Sequence, residues 1–249
     1  MIERALITYI TAGDPDKVAT LEFLLSMEKY ADVIELGIPF SDPMADGKTI
    51  QEANFRALKN GFRMKDVFEI VRSFRDHSEK PLILMSYYNP VYRMGFERFF
   101  NKARSSGVSA TIIVDLPFDE AEEYISLSEK YGIERVFLSA PNTPEERLRR
   151  VDELSSFIYL ISLYGVTGVR RELSPLALEA LKRVKRICRK PVAVGFGIST
   201  KEHVRELLKH GADGVVVGSA IVELIGKYGR EASPFIEKRL RELRRGLKV

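Results

Sequence analysis

The chain has 249 residues, 45% of them hydrophobic, and its 39 basic and 35 acidic side chains leave a net charge of only +4. That length suffices for one large core, while the interspersed charges mark no nucleic-acid surface and no apolar run is long enough to span a membrane. With a single cysteine (Cys188), three scattered histidines (His77, His203, His210) and an opening Met1-Ile2-Glu3-Arg4 that leads straight into a strand-like run, the expectation is one cytoplasmic domain over residues 1–249, without disulfide or metal.

Short apolar, β-branched runs alternate with longer segments of helical spacing. In chain order the predicted strands are Ala5-Thr11, Val33-Ile38, Leu82-Tyr87, Ala110-Asp115, Arg135-Ser139, Phe157-Leu163, Pro191-Gly195 and Gly214-Gly218. Between and after them, helical spacing marks Lys17-Lys29, Met64-His77, Phe96-Ser106, Asp119-Tyr131, Glu145-Leu154, Pro175-Arg189, Thr200-His210, Ala220-Lys227 and Pro234-Leu247. An extra helix follows the polar, turn-rich loop Pro39-Lys48, from Thr49 to Asn60. Caps support these limits: Ser174-Pro175 and Ser199-Thr200 start helices, and Gly61, Gly107, Gly132 and Gly211 end them. Cys188 reads as a core or boundary residue near the end of its helix.

Eight near-continuous apolar strands, each followed by a helix, describe an α/β protein with a parallel sheet covered on its outer face. The predicted fold is a (β/α)8 TIM barrel with extra helices; a six-stranded doubly wound sheet would require two of the strands to be false. In a barrel the loops after the strands build the active-site face.

Three glycine-rich segments fall at the ends of strands six, seven and eight: Gly165-Val166-Thr167-Gly168, Gly195-Phe196-Gly197-Ile198-Ser199 and Gly218-Ser219-Ala220. Any one is an ordinary turn. Together they predict a phosphate site, because glycine lets backbone N–H groups approach an anion and a following helix adds its positive end.

Glu35 lies within the apolar strand Val33-Ile34-Glu35-Leu36-Gly37-Ile38, where an unpaired charge is costly. It either meets solvent or a basic partner, or occupies the barrel mouth, where desolvation would suit it to proton exchange near neutrality. Asp46, in Ser41-Asp42-Pro43-Met44-Ala45-Asp46-Gly47, is either a turn former or a carboxylate folded back over the strand ends to stabilise positive charge. Tyr87 (with Asn89) ends the third strand and Tyr159 lies in the sixth; with Leu84, Ile112 and Phe196 they would line a slot for a flat aromatic ring, although strand tyrosines also simply pack. Asp115-Leu116-Pro117 reads as a turn and strand cap.

The run from Glu35 through Gly47 resembles the signature of the tryptophan synthase α-subunit family. The resemblance extends from Thr11-Ala12-Gly13-Asp14-Pro15 through the three glycine-rich segments, in the family's order and approximate spacing. It implies a retro-aldol cleavage of indole-3-glycerol phosphate to indole and glyceraldehyde 3-phosphate, with no metal or organic cofactor in this chain. Position by position, Glu35 resembles the general acid/base and Asp46 the carboxylate that accepts the indole N–H. Tyr159 matches the pocket tyrosine, Thr167 the loop threonine that helps order Asp46, and Gly168, Gly197, Gly218 and Ser219 the phosphate-binding positions.

The resemblance also implies a partner, a pyridoxal-phosphate-dependent β subunit that consumes the indole within an α2β2 complex. The loop Pro39-Phe40-Ser41-Asp42-Pro43-Met44 is apolar for a βα loop, so its side chains either dock that partner or fold down over the chain's own barrel. Lys48, Leu163 and Tyr164 depart from the family's commonest pattern, which has proline after Ala-Asp-Gly and an arginine with a small residue before Gly-Val-Thr-Gly.

Overall fold

The structure is a computed structural model that describes residues 2–161, 173, 175–195 and 197–248. Thr167, Gly168, Phe196, Leu163 and Tyr164 therefore lie outside the described residues.

The first half of the chain runs β1 (Ala5–Thr11), α1 (Lys17–Glu28), β2 (Val33–Gly37), α2 (Lys48–Lys59), α3 (Met64–Arg75), β3 (Leu82–Ser86), α4 (Tyr88–Met94), α5 (Phe96–Ser106) and β4 (Ala110–Ile113). It continues with α6 (Glu122–Tyr131), β5 (Glu134–Arg135), β6 (Leu138–Ser139), α7 (Glu145–Leu154), β7 (Ile158–Ile161), α8 (Pro175–Ile187), β8 (Val192–Gly195), α9 (Lys201–Lys209), β9 (Gly214–Val217), α10 (Ser219–Tyr228) and α11 (Ser233–Arg244). The strands pair in parallel in the order β5-β4-β3-β2-β1-β9-β8-β7-β6.

The two edge pieces of that order are consecutive in the chain, and this closes the ring. The predicted fifth strand, Arg135-Ser139, is not one strand: Glu134–Arg135 pair with β4, and Leu138–Ser139 pair with β7. The chain steps from one neighbour to the other around Val136 and Phe137, and the architecture is the expected (β/α)8 barrel rather than an open doubly wound sheet.

Strand alternation sorts the apolar residues into two layers. Ile7, Val33, Ile83, Ala110, Ile112, Phe157, Ala193 and Val216 fill the barrel interior. Leu6, Ile10, Ile34, Leu36, Leu82 and Leu84 point the other way and pack with the helices in the larger core. Cys188 is buried in that outer layer, and burial pushes its thiol up to about 11, so it packs as a small apolar side chain.

Caps account for the boundaries. Asp16 accepts from the backbone N–H groups of Val18 and Ala19 at the start of α1. Gly107 and Gly132 end α5 and α6 in the left-handed conformation. Helix α4 was not predicted, since Tyr87 and Asn89 read as the end of the third strand; Pro90 is tolerated there because first-turn N–H groups have no intrahelical acceptor. Asp115 serves this junction, accepting from the Tyr88 N–H at 2.6 Å.

Candidate active site

Glu35 sits in the middle of β2, paired in register with Tyr9 on one side and Ile83 on the other. Its neighbours in the chain, Ile34 and Leu36, face the helices, so alternation turns Glu35 into the barrel. The side chain is fully buried. The Tyr159 hydroxyl donates to Glu35 Oε2 at 3.2 Å, while Oε1 has no hydrogen-bond partner among the described residues. No lysine or arginine among the described residues pairs with it. Burial pushes the carboxyl up to about 8, against the opposing pull of the Tyr159 hydrogen bond.

Asp46 reaches the same space from the loop between β2 and α2. Tyr87 holds it: the phenol donates to Asp46 Oδ2 at 3.0 Å and accepts from the Ala45 N–H at 3.1 Å. Gln51 Nε2 donates to the Asp46 carbonyl oxygen at 2.8 Å. At the other end of the loop the Phe40 N–H donates to Asn54 Oδ1 at 2.9 Å. Helix α2 is itself anchored by Arg56, whose guanidinium donates twice to the buried Asp14 at 2.7 and 2.8 Å. Burial raises Asp46 to about 6, with the Tyr87 hydrogen bond acting in the opposite direction.

Asp46 lines a pocket of about 180 Å3 at the C-terminal ends of the strands, where a barrel places its chemistry, and Tyr159, the hydrogen-bond partner of Glu35, stands in its wall. Its wall includes Asp46, Tyr159, Gly197, Gly218 and Ser219 from the predicted set, together with Tyr9, Ile50, Met85, Val114, Leu138, Ile161 and Val216. Gly197 has φ +65, a conformation that favours glycine, and Gly218 precedes the first turn of α10, which begins at Ser219. Unsatisfied N–H groups at that turn face an anion favourably. Among the described residues, no group of three or more His, Cys, Asp or Glu side chains converges to hold a metal ion.

Three predicted pocket residues are placed differently, and the first is Tyr87, which stands outside the pocket wall and holds the Asp46 loop. Leu84 is not brought to the pocket: it faces the helices, and its neighbours Ile83 and Met85 face inward. Ile112 does face inward, but it packs in the barrel interior, and Val114, one inward step later, takes the lining position. Met85 and Val114 were missed because only the register, with Glu35 beside Ile83 and Met85 beside Ile112, fixes which parity of the third and fourth strands faces inward. Tyr9 was missed although its register beside Glu35 makes it inward too.

The apolar loop divides. Pro39 and Pro43 are buried, and Phe40 lies against Tyr87 with ring centroids 5.3 Å apart. Met44 is left 82% exposed beside Phe55, itself 66% exposed on α2.

Comparison with known proteins follows this geometry. The family model for the tryptophan synthase alpha chain matches residues 2–248. The tryptophan synthase alpha chain of Archaeoglobus fulgidus is 59% identical over 248 residues, 99% of this chain and 100% of that protein. That of Pyrococcus furiosus is 57% identical over 240 residues, covering 96% of this chain and 97% of its own. The solved P. furiosus α subunit superposes with a TM-score of 0.93 at 55% identity, covering 97% of this chain and 98% of that one. A chain of the P. furiosus tryptophan synthase complex gives 0.92 at 54% identity, with the same coverage. A barrel with a buried glutamate in its interior and a half-buried aspartate at its strand ends, matched over almost its entire length by these relatives, belongs to the tryptophan synthase alpha chain family.

Proposed function

We propose that this chain cleaves indole-3-glycerol phosphate into indole and glyceraldehyde 3-phosphate, as the α subunit of a tryptophan synthase. One observation carries the reading: Asp46, in the pocket wall, and Glu35, joined to that wall through Tyr159, are driven to different protonation states at neutral pH. Glu35, held up near 8, keeps its proton, whereas Asp46, near 6, is ionised. Such a split assigns acid and charge-stabilising roles in general.

The reaction is a sequence of proton transfers, so two carboxylates supply it without a metal or an organic cofactor. Glu35 donates its proton to indole C3, converting a poor carbon leaving group into an indolenine whose positive charge lies at N1. Asp46 accepts the N1–H and stabilises that charge where it develops. Glu35, now a carboxylate, takes the proton of the glycerol hydroxyl next to the ring as the C–C bond breaks. The bond electrons return to the indole ring, and the oxygen becomes the aldehyde of glyceraldehyde 3-phosphate. Glu35 ends with its proton restored. Oε1, buried within the barrel and without a hydrogen-bond partner among the described residues, is the atom left for this exchange.

The phosphate is assigned to backbone N–H groups at Gly197 and Gly218-Ser219, with Gly168 completing the site and Thr167 helping to order Asp46 by resemblance. The indole product is passed to a β subunit carrying pyridoxal phosphate, in an α2β2 assembly working in the cytoplasm. Exposed Met44 and Phe55 flank the loop that carries Asp46, which suits a docking face, and the P. furiosus relative is known within a tryptophan synthase complex. The chain also contains no described helix long and apolar enough to cross a membrane.

The test is incubation of the purified chain with indole-3-glycerol phosphate, alone and with β subunit, following indole release. Indole release by the wild-type chain that disappears in Glu35→Gln supports the reading. Cleavage in neither condition overturns it.

A further inference from the structure

Tyr9 is the one large polar residue of the pocket wall with no role in the reaction described above. It pairs in register with Glu35 on the neighbouring strand and is buried to 6% exposure. Its ring crosses the pocket in a defined direction. At one end, a Cβ on Gly218 would lie 3.3 Å from Tyr9 Cβ and 3.4 Å from Cδ1, so the root of the side chain stands beside the phosphate-end glycine. At the other end, a Cβ on Gly37 would lie 2.2 Å from the Tyr9 hydroxyl oxygen, so the hydroxyl occupies space that any larger residue at 37 would take. Ala53 and Val222 pack with the ring, which fixes its direction.

The hydroxyl has donor capacity to spare. It faces Thr11 Oγ1 at 3.3 Å, longer than the usual separation of about 2.7–2.8 Å for a hydroxyl pair. Two hydroxyls carry two protons, a bond between them uses one, and neither has another partner among the described residues. Burial chiefly, then the charges of Asp46, Tyr87 and Glu35, raise the phenol well above its ordinary value, so it remains a protonated donor within electrostatic range of both carboxylates.

A substrate stretched from the phosphate end at Gly218 to the carboxylates lays its glycerol segment along this ring. That segment has two hydroxyls. The one next to indole is committed to Glu35; the other, on the middle glycerol carbon, needs a partner. We propose that the Tyr9 hydroxyl is a further substrate-contacting group, donating a hydrogen bond to this second glycerol hydroxyl. The assignment rests on the reaction proposed above and adds to it a basis for choosing hydroxylated substrates, since a site built around a buried donor discriminates against analogues that leave it unpaired.

The experiment compares wild type with Tyr9→Phe, which retains the ring and the space over Gly37. Two quantities are measured: kcat/KM for indole-3-glycerol phosphate, and the inhibition constant of indole-3-propanol phosphate, which keeps the indole and phosphate but lacks both glycerol hydroxyls. The expected result is a fall of about tenfold in kcat/KM, the worth of one neutral hydrogen bond, with the inhibitor affinity unchanged within about twofold. Equal weakening towards both ligands would show that Tyr9 only packs, and no change towards either would show that its hydroxyl is idle; both overturn the assignment. Wild-type chain that cleaves no substrate and binds no inhibitor would instead remove the proposed reaction, and the Tyr9 assignment with it.

Discussion

Asp46 lines the pocket and Glu35 is bonded to Tyr159 of its wall; both are raised by burial, but the protein holds them by different means. Glu35 is built into a strand, flanked by paired strands on both sides, with a single hydrogen bond from Tyr159. Asp46 belongs to a loop and is placed by Tyr87 and Gln51 and by the anchoring of α2. The strand-held group owes its position to the barrel itself, so its environment is dry and its shift is the larger. The loop-held group owes its position to a few polar contacts, so it is the one that a ligand or a docked partner can adjust. A proton donor benefits from the first arrangement, and a charge that must meet a developing cation tolerates the second.

The sharpest way to break this comparison is to remove each carboxyl's ionisation in turn. Glu35→Gln is expected to lower kcat by about 10²- to 10⁴-fold, the range for a lost general acid/base, with near-native circular dichroism. Retained turnover would remove its proton-transfer role. Asp46→Asn should cost about 10²- to 10³-fold while leaving glycerol phosphate affinity intact, because the lost charge acts at the indole end. A selective loss of phosphate affinity would place Asp46 at the wrong end of the pocket.

The pH profile separates the two groups in a single measurement. Activity requires Asp46 ionised and Glu35 protonated, so kcat/KM should form a bell whose limbs fall near 6 and near 8. Tyr87→Phe should reduce activity by about tenfold and move only the acid limb. The Tyr87 hydrogen bond favours the charged form of Asp46, so its loss raises the Asp46 pKa and shifts that limb to higher pH. An unmoved acid limb in a folded variant would assign it to another group.

The smallest effect is on stability, and it follows from burial of Glu35. Its folded pKa near 8 exceeds the ordinary value of 4.5, so the folded state binds the proton more tightly than the unfolded chain does. That contribution is fully present below about pH 4.5 and is lost as the pH rises through 8. Glu35→Gln, which cannot ionise, should therefore match wild type in Tm near pH 4 and exceed it at pH 8.5. A constant difference across that range would mean that Glu35 does not titrate with folding.

Much of this site was legible from the residues themselves. The glycine-rich strand ends, the carboxylate inside an apolar strand and the turn-rich loop each violate a local expectation for pure core, and such violations mark function. The misplacement of Leu84 arose where a continuous apolar strand gives no internal clue to which parity faces inward. The single predicted strand at Arg135-Ser139 divided for a similar reason, since propensity reports extended backbone and not the neighbour to which it is bonded.

The sequence by itself determined the alternation of strands and helices, and hence the barrel, together with the candidate carboxylates and the glycine-rich ends, because propensity, periodicity and unusual polarity are properties of short segments. Only the tertiary structure decided that Glu35 faces inward, without a basic partner among the described residues, and that Tyr159, 124 residues away, supplies its hydrogen bond. Likewise, only the pairing of β2 with β3 brought Tyr87 under Asp46, and only the pairing of β1 with β2 and β9 laid Tyr9 between Gly218 and Gly37. Those relations depend on strand register and on which strands become neighbours, and a raised carboxyl pKa is a property of that assembled surrounding rather than of the residue.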